Sequence, residues 1–249
     1  MNQRLYRYHQ AFLLLGLALF LFNRFSTGKL FWYINARFVV LTFLAMIGLI
    51  VMAANVLAHL RRTRQREAHG DFEESGVVEA SARWNLLLMA LPLIFGLLIP
   101  TRPLDANAAS NRGVSISAPI ASGNSQPASL EAAPDERNVL DWIRIFNYET
   151  NLTPYLGQTA NVIGFIYRDP RLPEGQFMVS RFAITCCVAD AFAIGLVVDW
   201  PDTTSLPADG WVNVRGVVDI LEMDGQKVPL IHAKSVTLVD PPSQPYLFP

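Results

Sequence analysis

The sequence predicts a two-part protein: a membrane α-helical anchor of three helices, followed by an all-β C-terminal domain built as a small five-stranded barrel. Three observations carry this. The chain is 51% hydrophobic and 16% charged, with a mean hydropathy of +0.27, against about a quarter charged in ordinary soluble domains. The apolar excess is concentrated before residue 100. From Thr159 onward short alternating runs are punctuated by Pro, Asp and Gly, the pattern of strands and turns.

Three apolar runs make up the first hundred residues, at about 6–25, 38–60 and 84–99. The second, from Phe38 to Leu60, supplies the roughly 20 residues that a hydrocarbon core of about 30 Å requires. The first has an apolar centre, Ala11 to Phe22, flanked by Tyr6, Tyr8 and Arg24, which suits interfacial anchoring. Asn23-Arg24-Phe25-Ser26 lacks the small residues of a signal-peptide cleavage site, so an uncleaved helix is expected. The third run is short and carries Pro92 at its middle, which a spanning helix tolerates when neighbours satisfy the freed carbonyl.

Orientation follows from Arg61-Arg62-Thr63-Arg64-Gln65-Arg66 after the second run, with Arg83 before the third. Cytoplasmic loops collect Lys and Arg. Placing that loop inside leaves Arg24, Lys29 and Arg37 outside and exports everything after Ile99. The expected location is therefore the cell membrane, multi-pass, with an extracytoplasmic C-terminal domain. Asn55 and His59 lie four apart and share a helical face. His59 is near the helix end, where a polar tip reaches the headgroups.

Residues 101–135, rich in Ala, Ser, Asn and Pro, read as a disordered tether with a reach of about 30 to 35 Å. Beyond it, at 136–249, Val139, Ile143 and Phe146 recur near helical spacing and predict a short amphipathic helix. Five strands are then expected: Thr159 to Arg168, Gln176 to Val188, Ile194 to Trp200, Trp211 to Glu222 and Lys227 to Val239. Gly164 and Gly216 fall inside two of them, where glycine marks bulges or barrel bends. Five short strands with internal glycine bends fit a closed barrel of the OB type.

Charge divides the chain the same way. Residues 1–135 hold 12 Lys and Arg against 8 Asp and Glu, and residues 136–249 hold 8 against 13. An acidic distal domain argues against a nucleic-acid partner, whose phosphates call for basic surface; cations or a protein suit it better. No serine-nucleophile, phosphate-loop or paired-carboxylate signature is visible, so no enzymatic activity is expected, and no cofactor is indicated.

The chain has two cysteines, Cys186 and Cys187, adjacent in sequence. Consecutive α-carbons lie about 3.8 Å apart, below the roughly 4.4 to 6.8 Å of a relaxed disulfide, so the pair is either free thiols or a strained redox couple. On a regular strand Cys186 shares a face with Phe182, Ile184 and Val188 and is expected buried, whereas Cys187, beside Arg181 and Thr185, is the more available thiol. A metal site would draw on Cys186, Cys187, Asp190 and the domain's single histidine, His232. Neighbouring strand residues chelate one ion only if the backbone bends locally. No Cys-x-x-Cys pattern supports thiol oxidoreductase chemistry. Arg181, Asp190 and Arg215 read by default as solvated strand charges.

The N-terminal membrane block, the segment Tyr33-Ile34-Asn35-Ala36-Arg37 and above all Arg181-Phe182-Ala183-Ile184-Thr185-Cys186-Cys187-Val188-Ala189-Asp190-Ala191 resemble the YcgQ-like permease-subunit family, with Ile-Thr-Cys-Cys-x-Ala-Asp as the signature. The resemblance covers most of the chain apart from the linker. It implies a small membrane protein with an added soluble domain that works beside a YcgR-like multi-span permease in a two-component complex. It places Cys186, Cys187 and Asp190 at signature positions and carries no role for them. The expectation is an accessory subunit assisting solute capture or gating; the alternative is a standalone membrane-anchored metal- or thiol-binding protein.

Overall fold

A computed structural model describes residues 3–68, 80–116, 132–223 and 225–249. The acidic stretch Asp71, Glu73 and Glu74, residues 117–131 of the expected tether and Asp224 lie outside the described residues. The chain divides into two compact units, Met1–Arg102 and Pro103–Pro249.

The first unit holds α1 (Gln3–Ser26), α2 (Val39–Ala68) and α3 (Ala80–Leu98). Two stretches, Arg4–Ser26 and Ala36–Thr63, are long and apolar enough to cross a bilayer. The apolar part of α3, Trp84–Leu98, is shorter. At 1.5 Å per residue it covers about 22 Å, less than the hydrocarbon core. Ile99 still donates its N–H to Phe95, and Pro100 then ends the helix. The expectation of three spanning helices thus reduces to two of full length and one short apolar helix.

α1 buries Ala11, Leu14 and Ala18, a stripe at spacings of three and four, and α2 buries Ala53. Small residues at these positions let helices approach closely. Gly96 of α3 lies under the Phe20 ring, where a Cβ would come within 2.5 Å of Phe20 Cζ. Arg24 sits 4.8 Å from the Phe20 ring centroid and donates to the Gly96 carbonyl at 2.7 Å. Arg7 and His59 meet at 2.7 Å between Nη1 and Nδ1. Phe12, Leu19, Val40, Leu41 and Leu98 remain exposed, an apolar surface that suits lipid rather than water. Between α1 and α2, Asn35 accepts the Arg37 N–H at 3.0 Å and sets the entry to α2.

The second unit begins inside the expected tether. Asp105 accepts the N–H groups of Asn107 and Ala108 and caps α4 (Ala106–Arg112). Gly113, at φ +79°, turns the chain into β1 (Val114–Ser115). Ala106, Ala109, Val114 and Ile116 are buried. Residues 103–116 are therefore part of the domain and not a tether: their few apolar side chains suffice once docked.

α5 (Val139–Tyr148) is the amphipathic helix read from the sequence. Its N-terminus carries a capping box between Asn138 and Asp141. Val139, Trp142, Ile143 and Phe146 pack into the core formed by the strands.

The strands are β2 (Thr159–Tyr167), β3 (Gln176–Ala183), β4 (Phe192–Asp199), β5 (Trp211–Met223), β6 (Gln226–Val239) and β7 (Tyr246–Leu247). β2 pairs antiparallel with β3 and β5, β3 antiparallel with β4, β5 antiparallel with β6, and β4 parallel with β6. Followed round, the pairings β2-β3-β4-β6-β5-β2 close on themselves. Gly216 lies at a register shift between β5 and β6: it pairs with Ala233 while Arg215 pairs with Ser235, so the extra residue of the bulge is Lys234 on β6, opposite the glycine. Gly164 is instead a site of close approach, where a Cβ would stand 2.5 Å from the Ser180 carbonyl oxygen.

At one end of β3 and β4 the hairpin outruns the ring. β7 there pairs parallel with β3, Phe182 opposite Tyr246, and β1 pairs parallel with β4, Val114 opposite Ala193. The local strand order becomes β7-β3-β4-β1, and the connection between β3 and β4 is its tip. β3 is buried from Phe177 to Ala183, and β4 from Ala193 to Val198.

Candidate functional site: the cysteine turn at the tip of the β3–β4 hairpin

β3 ends at Ala183, not at Val188. Ile184 makes one last backbone bond, to the carbonyl of Leu247. Beyond it the side chain of Asp190 takes over as acceptor: Oδ1 binds the Thr185 N–H at 3.2 Å and Oδ2 the Cys186 N–H at 2.7 Å. The N–H of Asp190 in turn binds the carbonyl of Cys187 at 3.1 Å. A single 3₁₀ turn, Val188–Asp190, returns the chain to β4. Asp190 is thus the clamp that folds the turn, using the short-side-chain chemistry by which aspartate competes with ladder pairing.

Because the strand has ended, period-two alternation no longer decides which thiol is buried. Cys186 is exposed and Cys187 half-buried, the reverse of the strand-based expectation. The two Sγ atoms lie 3.7 Å apart and are free thiols. The hydrogen bond to Asp190 and then that to Cys187 push the Cys186 thiol up to about 11. Burial works against ionisation of Asp190, but hydrogen bonds from the Cys186 thiol and from the Cys186, Thr185 and Cys187 amides outweigh it and hold its carboxyl below the usual range.

Arg112 of α4 donates to the carbonyl of Ala191 at 2.8 Å and reaches that of Val188 at 3.5 Å, so the segment from 103 to 116 braces the turn from outside. A groove of about 680 Å³ runs beside it, lined by Arg112, Arg171, Ala189, Ala191, Met223 and Gln226 among others.

Arg181, two residues before the strand ends, is 7% exposed. It donates from Nε to Pro245 O at 2.9 Å, from Nη2 to Gln244 O at 2.8 Å and from Nη1 to Ile163 O at 3.2 Å. Its guanidinium carbon lies 5.3 Å from the Trp211 ring centroid. Burial lowers its pKa to about 10, which leaves it charged at neutral pH. It is a buried cation tying the C-terminal tail, not the solvated charge the strand pattern suggests; Arg215 is exposed, as expected.

His232 is not part of this site. It lies on β6, paired in register with Asp199, and Asp199 is seven positions along β4 from Phe192 beside the turn, about 23 Å of strand. Its Nδ1 is 3.2 Å from Asp199 and its Nε2 3.3 Å from Asp219. Backbone donation from Ile220, then the contact with His232, lowers the pKa of Asp219. Of the four residues read as metal ligands, Cys186, Cys187 and Asp190 come together and His232 does not. Among the described residues no group of three or more His, Cys, Asp or Glu is arranged to hold a metal. Sequence reasoning missed Arg112, whose partner lies 79 positions away, and the aspartates flanking His232.

The DUF1980 N-terminal domain model matches residues 9–115 and the DUF1980 C-terminal domain model residues 135–249. UPF0703 protein YcgQ of Bacillus subtilis (strain 168) is 22% identical over 280 residues, covering 94% of this chain and 97% of that protein. A protein of Streptococcus mutans serotype c, named as a two-component membrane permease complex subunit, is 24% identical over 264 residues, covering 89% of this chain and 92% of its own. No solved structure matches. Two domain models that together take in the membrane block, the segment that braces the turn and strands β2 to β7, with relatives matched nearly end to end, make this chain a member of the DUF1980 family of YcgQ-like proteins.

Proposed function

We propose that this protein is a non-enzymatic accessory subunit of a membrane permease complex. The observation that carries the reading is the near full-length similarity to a relative named as a subunit of such a complex, in a chain whose helices keep a large apolar surface exposed. α1 and α2 span the membrane. α3, short for a span, crosses with a locally thinned bilayer or against a partner helix. The partner is a multi-span permease of the YcgR-like type.

The five-strand ring is an OB-like barrel, which the closed cycle of pairings and the bulge at Gly216 support. The barrel lies outside the cytoplasm, following the arginine cluster after α2, and assists capture or gating of solute there. Fold alone assigns no ligand.

Purification of the tagged chain from its own membranes in mild detergent, with mass spectrometry of stoichiometric partners, tests the reading. A multi-span permease in the eluate supports it, and a partnerless protein refutes it. Reporter fusions after Leu98 test the topology: activity confined to the cytoplasm overturns the exported barrel.

A further inference from the structure

We propose that Cys186 and Cys187 form an open two-thiolate site for a divalent thiophilic cation of the zinc type, presented at the tip of the β3–β4 hairpin. The inference rests on the accessory-subunit reading only for what the site serves; its chemistry stands apart. Adjacent residues on a regular strand point to opposite faces, so the pair needs a local bend, and the turn clamped by Asp190 supplies it. The resulting sulfur separation of 3.7 Å is the meaningful number. Two thiolates on a tetrahedral ion with bonds of about 2.3 Å stand about 3.8 Å apart. Linear two-coordinate binding would instead need sulfurs about 4.6 Å apart at that bond length.

Asp190 serves as a positioning residue: its oxygens accept the Thr185 and Cys186 N–H groups and hold the bend, and no group of three ligands forms around the thiols among the described residues. With His232 some seven strand residues away along β4, the chain's described residues supply two ligands. Two positions stay open for water, for an anion travelling with the ion or for a partner's side chain. Closed four-ligand sites are structural, whereas sites with open positions exchange and react. A half-filled coordination sphere on an exposed tip is suited to receiving and passing on an ion.

Binding is written M²⁺ + 2 R–SH → M(S–R)₂ + 2 H⁺: two S–H bonds break, two M–S bonds form, and no electrons move. Affinity therefore rises with pH, because the thiols must lose their protons to bind.

The test uses the full chain, tag removed, in mild detergent and reduced, titrated with Co²⁺ and then with Zn²⁺. Expected are one Co²⁺ per chain, a thiolate-to-cobalt charge-transfer band, displacement by Zn²⁺ and release of two protons per ion. C186S and C187S should each weaken binding at least tenfold, and H232A should leave it unchanged. Both serines replace thiols outside the core, and circular dichroism checks that the variants fold. No charge-transfer band, or binding that survives in the C186S/C187S double variant, overturns the site. A chain that co-purifies with a permease but binds no cobalt overturns the site alone. A chain that binds cobalt without a partner leaves the site standing and removes the permease reading.

Discussion

Replacing Arg181 with Met should release the C-terminal tail. Methionine keeps the unbranched apolar stem and the packing on Trp211, but it removes the donors to Pro245, Gln244 and Ile163. Hydrogen bonds to a charged group contribute about 1.5 to 3 kcal/mol each, so three of them reach about 5 to 9 kcal/mol. No carboxylate appears among these partners, and the guanidinium is buried, so desolvation offsets several kcal/mol of that gain. A net loss of about 3 to 5 kcal/mol follows. For the unit Pro103–Pro249 that corresponds to a fall in Tm of about 6 to 20 °C. The assay is hydrogen exchange with mass spectrometry on the full chain in detergent, beside thermal unfolding followed by tryptophan fluorescence. Peptides covering 244–249 should lose protection first. The Ile184 amide, bonded to Leu247, and the Leu104 amide, bonded to the Tyr246 hydroxyl at 2.8 Å, should follow. A variant with unchanged Tm and full protection over 244–249 would refute the reasoning.

Gly164→Ala places a methyl 2.5 Å from the Ser180 carbonyl oxygen and 2.9 Å from Val179 Cγ2, so it should destabilise the domain by about 2 to 4 kcal/mol; a shift in Tm below 2 °C counts against the close approach. Asp190→Asn keeps an acceptor for the turn amides but removes the charge that raises the Cys186 thiol, so alkylation of Cys186 by a maleimide at pH 8 should quicken several-fold, and an unchanged rate speaks against the hydrogen bond. Asp169 has its pKa lowered chiefly by the side-chain bond from Arg171, at 2.7 Å between Nη2 and Oδ2. A carboxylate depressed on folding contributes stability that is present above its unfolded value near 3.8 and is lost as pH falls through the folded value. Asp169→Asn should therefore flatten the acid limb of a Tm-versus-pH curve below pH 4, and an unaltered limb would show that the ion pair contributes nothing.

Where a structural signal was local, the sequence carried it. Apart from the C-terminal end of β3, the strands begin and end within two residues of their expected bounds, because turn residues such as Pro170, Gly175 and Gly210 stop pairing wherever they fall. The amphipathic helix of α5 follows from its own spacing. Two of the misreadings share one physical cause, a partner distant in sequence. Arg181 looks like a surface charge until carbonyls 63 and 64 positions away surround it. Residues 103–116 look like a tether because four small or medium apolar side chains make no core alone, yet docked on β4 they are buried. The cysteine run has strand composition, and a carboxylate four and five residues downstream ends the strand by drawing its amides away from any ladder. The site was legible as a pair of thiols with a nearby aspartate; which thiol faces solvent was not, because that depended on where the strand stopped.

β7 and β1 are two residues each, yet they lie along both edges of the protruding hairpin. An open hairpin edge is a template on which a second copy or a foreign strand can continue the sheet. Here the next rung on either side is too short to recruit one. Self-assembly by strand addition at this end is therefore blocked, and a protein that engages it must do so through side chains at the apex. Crowded chains in one membrane can then carry many such tips without stitching themselves together.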